Sequence, residues 1–123
     1  MYRTRYHTSL RPFFQYFTFI RTSGYLRAAA ELLTDAEERE IERVLCENPH
    51  AGNTVAHAGG VAKLRVKLPA AGKSGGARLI YFYRGSVGRI YLLYVYGKGE
   101  QETISAAEKK ELSRLTAQLQ EEP

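Results

Sequence analysis

Between Gly60 and Lys98 the chain carries eight basic residues and no acid: Lys63, Arg65, Lys67, Lys73, Arg78, Arg84, Arg89 and Lys98. Tyr81, Tyr83, Tyr94 and Tyr96 are interleaved with them. Arg and Lys gather around phosphate, and tyrosine rings offer flat faces on which unpaired bases stack. This set suits a cleavage of RNA that needs no metal. The ribose 2′-OH attacks the adjacent phosphorus, a 2′,3′-cyclic phosphate forms, and a cationic clamp stabilises the charge collecting on the phosphoryl oxygens. A lysine among other cations releases its proton more readily and can serve as general base. On composition alone, the same residues also fit a solvated strand face or a general nucleic-acid patch.

Other chemistries are disfavoured. There is no Gly-x-x-x-x-Gly-Lys-Ser/Thr loop for nucleotide phosphates and no Gly-x-Ser-x-Gly nucleophile elbow. His7, His50 and His57 are scattered, without metal-ligand spacing. The single cysteine, Cys46, allows no intrachain disulfide and reads as a small core side chain. No cofactor and no metal are expected. Of the 13 acids, seven lie between Glu31 and Glu47 and six between Glu100 and Glu122. The net charge of +5 is thus segregated into an acid-free centre, which favours a polyanionic partner. No stretch has the length and apolarity of a membrane span, and the N-terminus has no secretory h-region, so a cytoplasmic protein is expected.

The elements that must position these residues follow from local patterns. A chain of 123 residues is one domain, placed at 16–123. Residues 1–15, with Arg3, Arg5, Arg11 and Pro12, read as a flexible basic leader. Tyr16–Arg21 reads as a strand. Tyr25, Ala28, Ala29, Leu32 and Leu33 recur at helical spacing. Thr34 and Glu37 form a capping-box pattern that opens a second helix, ended by Asn48-Pro49. In Ala62–Leu68 apolar residues alternate with Lys63, Arg65 and Lys67, giving a core face and a cationic face. Strands at Ala77–Arg84 and Arg89–Tyr96 flank a turn at Gly85–Gly88. The second is apolar throughout and belongs in the middle of the sheet. Ser105 and Glu108 cap a last helix. The order β-α-α-β-β-β-α predicts an α+β fold, with an antiparallel sheet packed against an N-terminal helical hairpin and a C-terminal helix.

The ordered motifs Asn48-Pro49, Gly59-Gly60, Lys63-Leu64-Arg65-Val66, Gly75-Gly76-Ala77-Arg78-Leu79-Ile80-Tyr81, Tyr91-Leu92-Leu93 and Tyr96-Gly97-Lys98 resemble the RelE/ParE superfamily of toxin–antitoxin toxins. The resemblance is to the HigB-like branch of RelE-type mRNA interferases, over about residues 17 to 119. It implies a compact RelE-like fold, cleavage of mRNA in the ribosomal A site without a cofactor, and neutralisation by a cognate antitoxin. That antitoxin would be a helix-turn-helix protein of the HigA type, and operator DNA would be met only through it. Arg65 and Lys67 match the basic pair of the family's active strand, Arg78 the arginine on the scissile phosphate, and Lys98 the basic position after the last strand. Where the founding type has a second arginine, this chain has Gly99, and Ser105 stands near the position of its late tyrosine. Either Tyr96 or Tyr81 would then supply the stacking ring, or the chemistry would lean on Arg and Lys alone.

The assigned catalytic residues are Arg78, Arg65, Lys67, Lys98 and Tyr96, with Lys63, Lys73 and Tyr81 contacting RNA. Gly75 and Gly76 would let backbone approach a phosphate near Arg78. Arg84 and Arg89 read as solvated, and His57 as an exposed bystander. The rival readings are a non-enzymatic gyrase inhibitor of the ParE type and a plain RNA-binding module.

Overall fold

The computed structural model describes residues 2–8, 15–68, 73–97 and 104–123. The order is β1 (Tyr2–Thr8), β2 (Gln15–Arg21), α1 (Ser23–Leu32), α2 (Asp35–Glu47), β3 (Asn53–Thr54), β4 (Ala62–Leu68), β5 (Lys73–Arg84), β6 (Arg89–Gly97) and α3 (Ala106–Gln120). Each helix starts on a hydroxyl side chain that satisfies an otherwise orphaned backbone N–H. Thr22 Oγ1 accepts from Tyr25 N at 3.1 Å, Thr34 Oγ1 from Glu37 N at 3.1 Å and Ser105 Oγ from Glu108 N at 3.1 Å. Glu37 and Glu108 complete both expected capping boxes by accepting from the backbone of Thr34 and Ser105. A cap of this kind contributes about 1 kcal/mol.

The six strands lie in the order β1-β2-β6-β5-β4-β3. Strands β5 and β6 are apolar on both faces, so both faces need cover, and the fold supplies a layer on each side. On one side Tyr25, Ala29, Ile41, Leu45 and Cys46 of α1 and α2 cluster with Phe17, Phe19, Leu79, Tyr81, Ile90, Leu92 and Val95 of the sheet. On the other side Ile104 and Leu119, with Leu112 and Leu115, meet Ile20, Ile80, Phe82, Tyr91, Leu93 and Tyr96. The C-terminal helix therefore forms a third layer opposite the other two. Burial also pushes the Cys46 thiol up to about 11, so it stays a protonated core side chain.

Three expectations are corrected. The sheet is mixed: β2 pairs with β6 in parallel, Thr18 opposite Arg89 through Arg21 opposite Leu92. Residue pattern shows which face of a strand is buried but not the direction of a distant neighbour. Second, Tyr2–Thr8 of the expected flexible leader forms an edge strand, paired antiparallel with β2. Its residues do alternate, Tyr and Thr at even positions against Arg and His at odd ones, but no aliphatic residue marks one side as a core face. Third, Arg84 and Arg89 are not solvated bystanders. Arg84 Nη1 donates to the Leu119 carbonyl at 3.1 Å and the Glu122 carbonyl at 2.6 Å, and Arg89 donates to the Pro123 carbonyl. Cations at a helix C-terminus satisfy its last carbonyls and complement its dipole. Tyr91 adds an O–H donated to Glu122 Oε1 at 2.8 Å.

A buried ion pair ties the first helical layer to the sheet. Arg21, at the end of β2, pairs with Glu42 of α2, whose side chain is 2% exposed. Nearby, Tyr25 Oη donates to Glu38 Oε1 at 3.3 Å, and burial raises the affinity of both groups for a proton. Removing one partner of such a pair leaves the other charge buried and uncompensated. Glu42→Ala is expected to lower the unfolding free energy by about 3 kcal/mol, read from urea denaturation. A loss within error of zero would show that the pair does not hold α2 to the sheet.

Candidate nucleic-acid interface

The cationic face of β4 is built as its alternation predicts. Ala62, Leu64 and Val66 pack against the α1–α2 cluster, which turns Lys63 and Arg65 to the face shared with α3. The β4–β5 register then sets Arg65 directly opposite Arg78, and the β5–β6 register sets Arg78 opposite Tyr96. One cross-strand row therefore reads Arg65–Arg78–Tyr96. The adjacent row reads Lys63–Ile80–Tyr94. Neighbouring strands are about 4.8 Å apart, so each row is compact.

Lys63, Arg65 and Arg78 line a groove of about 390 Å³ together with Ala51, Asn53 and Leu64. Like charges directly opposite on a sheet are unfavourable, by up to about 1 kcal/mol. Arg65 and Arg78 therefore do not face each other for stability. A phosphate between them would turn that repulsion into charge-assisted hydrogen bonding, with guanidinium forks matched to its oxygens. Lys67 lies at the far end of the same strand and is exposed, where the β4–β5 register shifts between Val66 and Leu68. Lys98 lies outside the described residues, as does the side chain of Lys73.

Gly76 has a structural role. It sits at φ +65°, and a Cβ there would fall on the Val66 carbonyl oxygen. It is needed where β5 bulges against β4. Gly59 is similar, at φ +72°, where a Cβ would strike Thr116 of α3. The same loop contacts α3 through the His57 carbonyl, which accepts from Ser113 Oγ at 3.4 Å. His57 itself is exposed.

The tyrosines divide between the two faces. Tyr81 is corrected as an RNA-stacking candidate. It is 1% exposed and belongs to the cluster on the α1–α2 face, opposite to Arg78. Its hydroxyl donates to the Pro49 carbonyl at 2.8 Å and accepts from Gly52 N at 2.9 Å. It thus fixes the turn that follows α2, which gives the Asn48-Pro49 motif a structural meaning. Tyr83 shares that face, with an edge-on contact to Phe17. Tyr96 does join the Arg78 row but is only 3% exposed. The exposed ring is Tyr94, at 44%, stacked near Tyr96 with ring centroids 6.4 Å apart and planes at 27°. Tyr94 is one of the four interleaved tyrosines named from the sequence, but it was not assigned to the site. Nor was Glu111, which with Glu108 brings carboxylates from α3 to this face.

Those carboxylates belong to a second groove, of about 470 Å³, lined by Ile80, Tyr94, Tyr96, Ile104, Glu108, Glu111, Leu112 and Leu115. Two grooves of opposite sign therefore lie on one face of the sheet and meet at β5. A signal for this was present in the sequence, since Glu108 and Glu111 are i,i+3 and share one helix face. What the sequence lacked was which sheet face α3 covers.

The three-layer α+β fold, with its mixed sheet and C-terminal helix, is that of the RelE-like class of toxins. Residues 37–122 match the family described as the RelE toxin of the RelE / RelB toxin–antitoxin system, and the chain belongs to that family. The match runs from α2 through α3, so it includes both grooves. A toxin of this kind acts opposite a cognate antitoxin. Among the described residues no helix is long and apolar enough to cross a membrane.

Removing the Tyr81 hydroxyl leaves the Pro49 carbonyl and the Gly52 N–H without that partner. Tyr81→Phe is expected to cost about 1–3 kcal/mol of stability by chemical denaturation. Growth arrest on expression should persist, because the ring lies on the face away from Arg78. Loss of toxicity in a variant that remains folded would return Tyr81 to the site.

Proposed function

We propose that this protein is a ribosome-dependent mRNA endonuclease of the HigB-like kind, acting in the cytoplasm on message held in the ribosomal A site. The observation that carries the reading is Arg65 directly opposite Arg78, next to Tyr96 in the same row. In the proposed reaction the ribose 2′-oxygen bonds to the adjacent phosphorus and the bond from phosphorus to the 5′-oxygen breaks. The 2′ proton leaves to a base, and the departing 5′-oxygen gains a proton. Arg65 and Arg78 hold the nonbridging oxygens, whose negative charge grows in the transition state. Lys67 and Lys98 complete the clamp, and Lys63 and Lys73 neutralise flanking phosphates. No metal takes part. Neutralisation falls to the antitoxin, proposed as a helix-turn-helix protein of the HigA type, which also makes the contact with operator DNA.

Removing one preorganised donor to a developing oxyanion costs about 10²–10³-fold in rate. Arg78→Ala is therefore expected to lose cleavage by at least that factor, read by mapping new 5′ ends in translated mRNA after induction. Arg78 is partly exposed, and thermal unfolding of the variant should remain close to the parent. Equal cutting by the variant would remove Arg78 from the site. DNA breaks in place of mRNA cuts would favour the gyrase-directed reading.

A further inference from the structure

The second groove differs from the first in the one respect that matters for RNA. Its charged groups are carboxylates, Glu108 and Glu111, and its walls are Ile80, Ile104, Leu112 and Leu115. A phosphate is repelled there, whereas a base is not. The neighbouring groove, lined by Lys63, Arg65 and Arg78, takes the phosphate. The two lie side by side across β5, as the backbone and base of one nucleotide do. Tyr94 is exposed on this face and offers the stacking surface that an unpaired base requires.

We propose that the groove between β5, β6 and α3 receives a guanine base of the substrate RNA, stacked on Tyr94 and held at its edge by the Glu111 carboxylate. This rests on the RNA-cleavage reading above. Glu108 is less suited to the edge contact, because its Oε1 accepts from Ser105 N in the helix cap at 2.9 Å. Glu111 stands one turn further along α3 and is exposed. An ionised carboxylate only accepts hydrogen bonds, through two adjacent oxygens. Guanine alone presents two adjacent N–H donors, N1–H and N2–H₂, on its Watson–Crick edge. Adenine and cytosine set an acceptor beside their amine, and uracil flanks its one N–H with carbonyls. Each of those arrangements aims a lone pair at the carboxylate.

The chemistry makes a sharp prediction for Glu111→Gln. An amide offers one acceptor and one donor, a pair that every base can meet on its Watson–Crick edge, so it no longer singles out guanine. Purified translating ribosomes would be programmed with a message randomised around the cut and treated with each protein. The wild type is expected to favour guanine beside the scissile phosphate by about tenfold. Glu111→Gln should keep cutting but flatten that preference among the bases. Tyr94→Ala should reduce cutting about tenfold at every base without changing their ratio, since stacking is tolerant of sequence. Cutting by the wild type with no base preference would overturn the inference and leave the RNA-cleavage reading standing. An unchanged guanine preference in Glu111→Gln, or complete loss of its cutting, would also overturn it, the latter pointing to a part in the reaction itself. So would an arginine-rich peptide that binds the wild type but not Glu111→Gln while base preference is unchanged, because the groove would then be a peptide site. Absence of any cut by the wild type would remove both the inference and the reading beneath it.

Discussion

The register between β4 and β5 is the constraint on which the site depends. It brings Arg65 opposite Arg78, and side chains on a strand alternate with a period of two, so a slip of β4 by one residue would turn Arg65 to the other face, away from Arg78. Nothing in two facing guanidinium groups favours that register. It is fixed from the opposite face, where Leu64 meets Leu79 and Ala62 meets Tyr81 in the core. Tyr81 is itself tied to the Pro49 and Gly52 backbone. The bulge at Gly76 shifts the register beyond Val66, where Leu68 pairs with Lys73. Burial on one face thus holds together charges that repel on the other, and the unfavourable pairing becomes useful when an anion lies between them.

The second dependence is the placement of α3. Its C-terminal end is held by Leu119 in the core, by Arg84 and Arg89 on the last carbonyls, and by the Tyr91–Glu122 hydrogen bond. Its N-terminal half carries Glu108, Glu111 and Leu112 along the groove beside Tyr94. Arginines that would otherwise belong to a uniform basic surface are used as anchors, while the helix they hold brings negative charge onto the sheet. The result is two adjacent grooves with opposite electrostatic preferences, the physical requirement for separating a phosphate from a base.

Much of this was legible in the sequence, because several signals were local and strong. The β4 alternation placed Lys63 and Arg65 on one face, and the hydroxyl–glutamate pairs at Thr34–Glu37 and Ser105–Glu108 located two helix starts. The apolar run of β6 located the centre of the sheet. What was hidden came from tertiary choices. In a strand apolar on both faces, alternation cannot tell Tyr91 from Leu92. An irregularity resolves it: Ile80 pairs with Tyr94 but Tyr81 with Leu92, leaving Leu93 as the extra residue. The Leu92 and Leu93 carbonyls both accept from the Thr22 hydroxyl, at 3.2 Å and 2.9 Å, a contact across 70 and 71 residues. The burial of Tyr81, the parallel β2–β6 pairing and the side on which α3 docks are equally long-range, and so left no short-range mark.

The most direct test of the central claim is the chemistry of the cut ends. Fragments released from ribosome-bound mRNA by the purified protein can be identified by mass spectrometry. Attack by the 2′-OH within a phosphate clamp predicts a 2′,3′-cyclic phosphate on the upstream fragment and a 5′-hydroxyl on the downstream one. A 3′-hydroxyl with a 5′-phosphate would mean that water attacked instead, and would contradict the account.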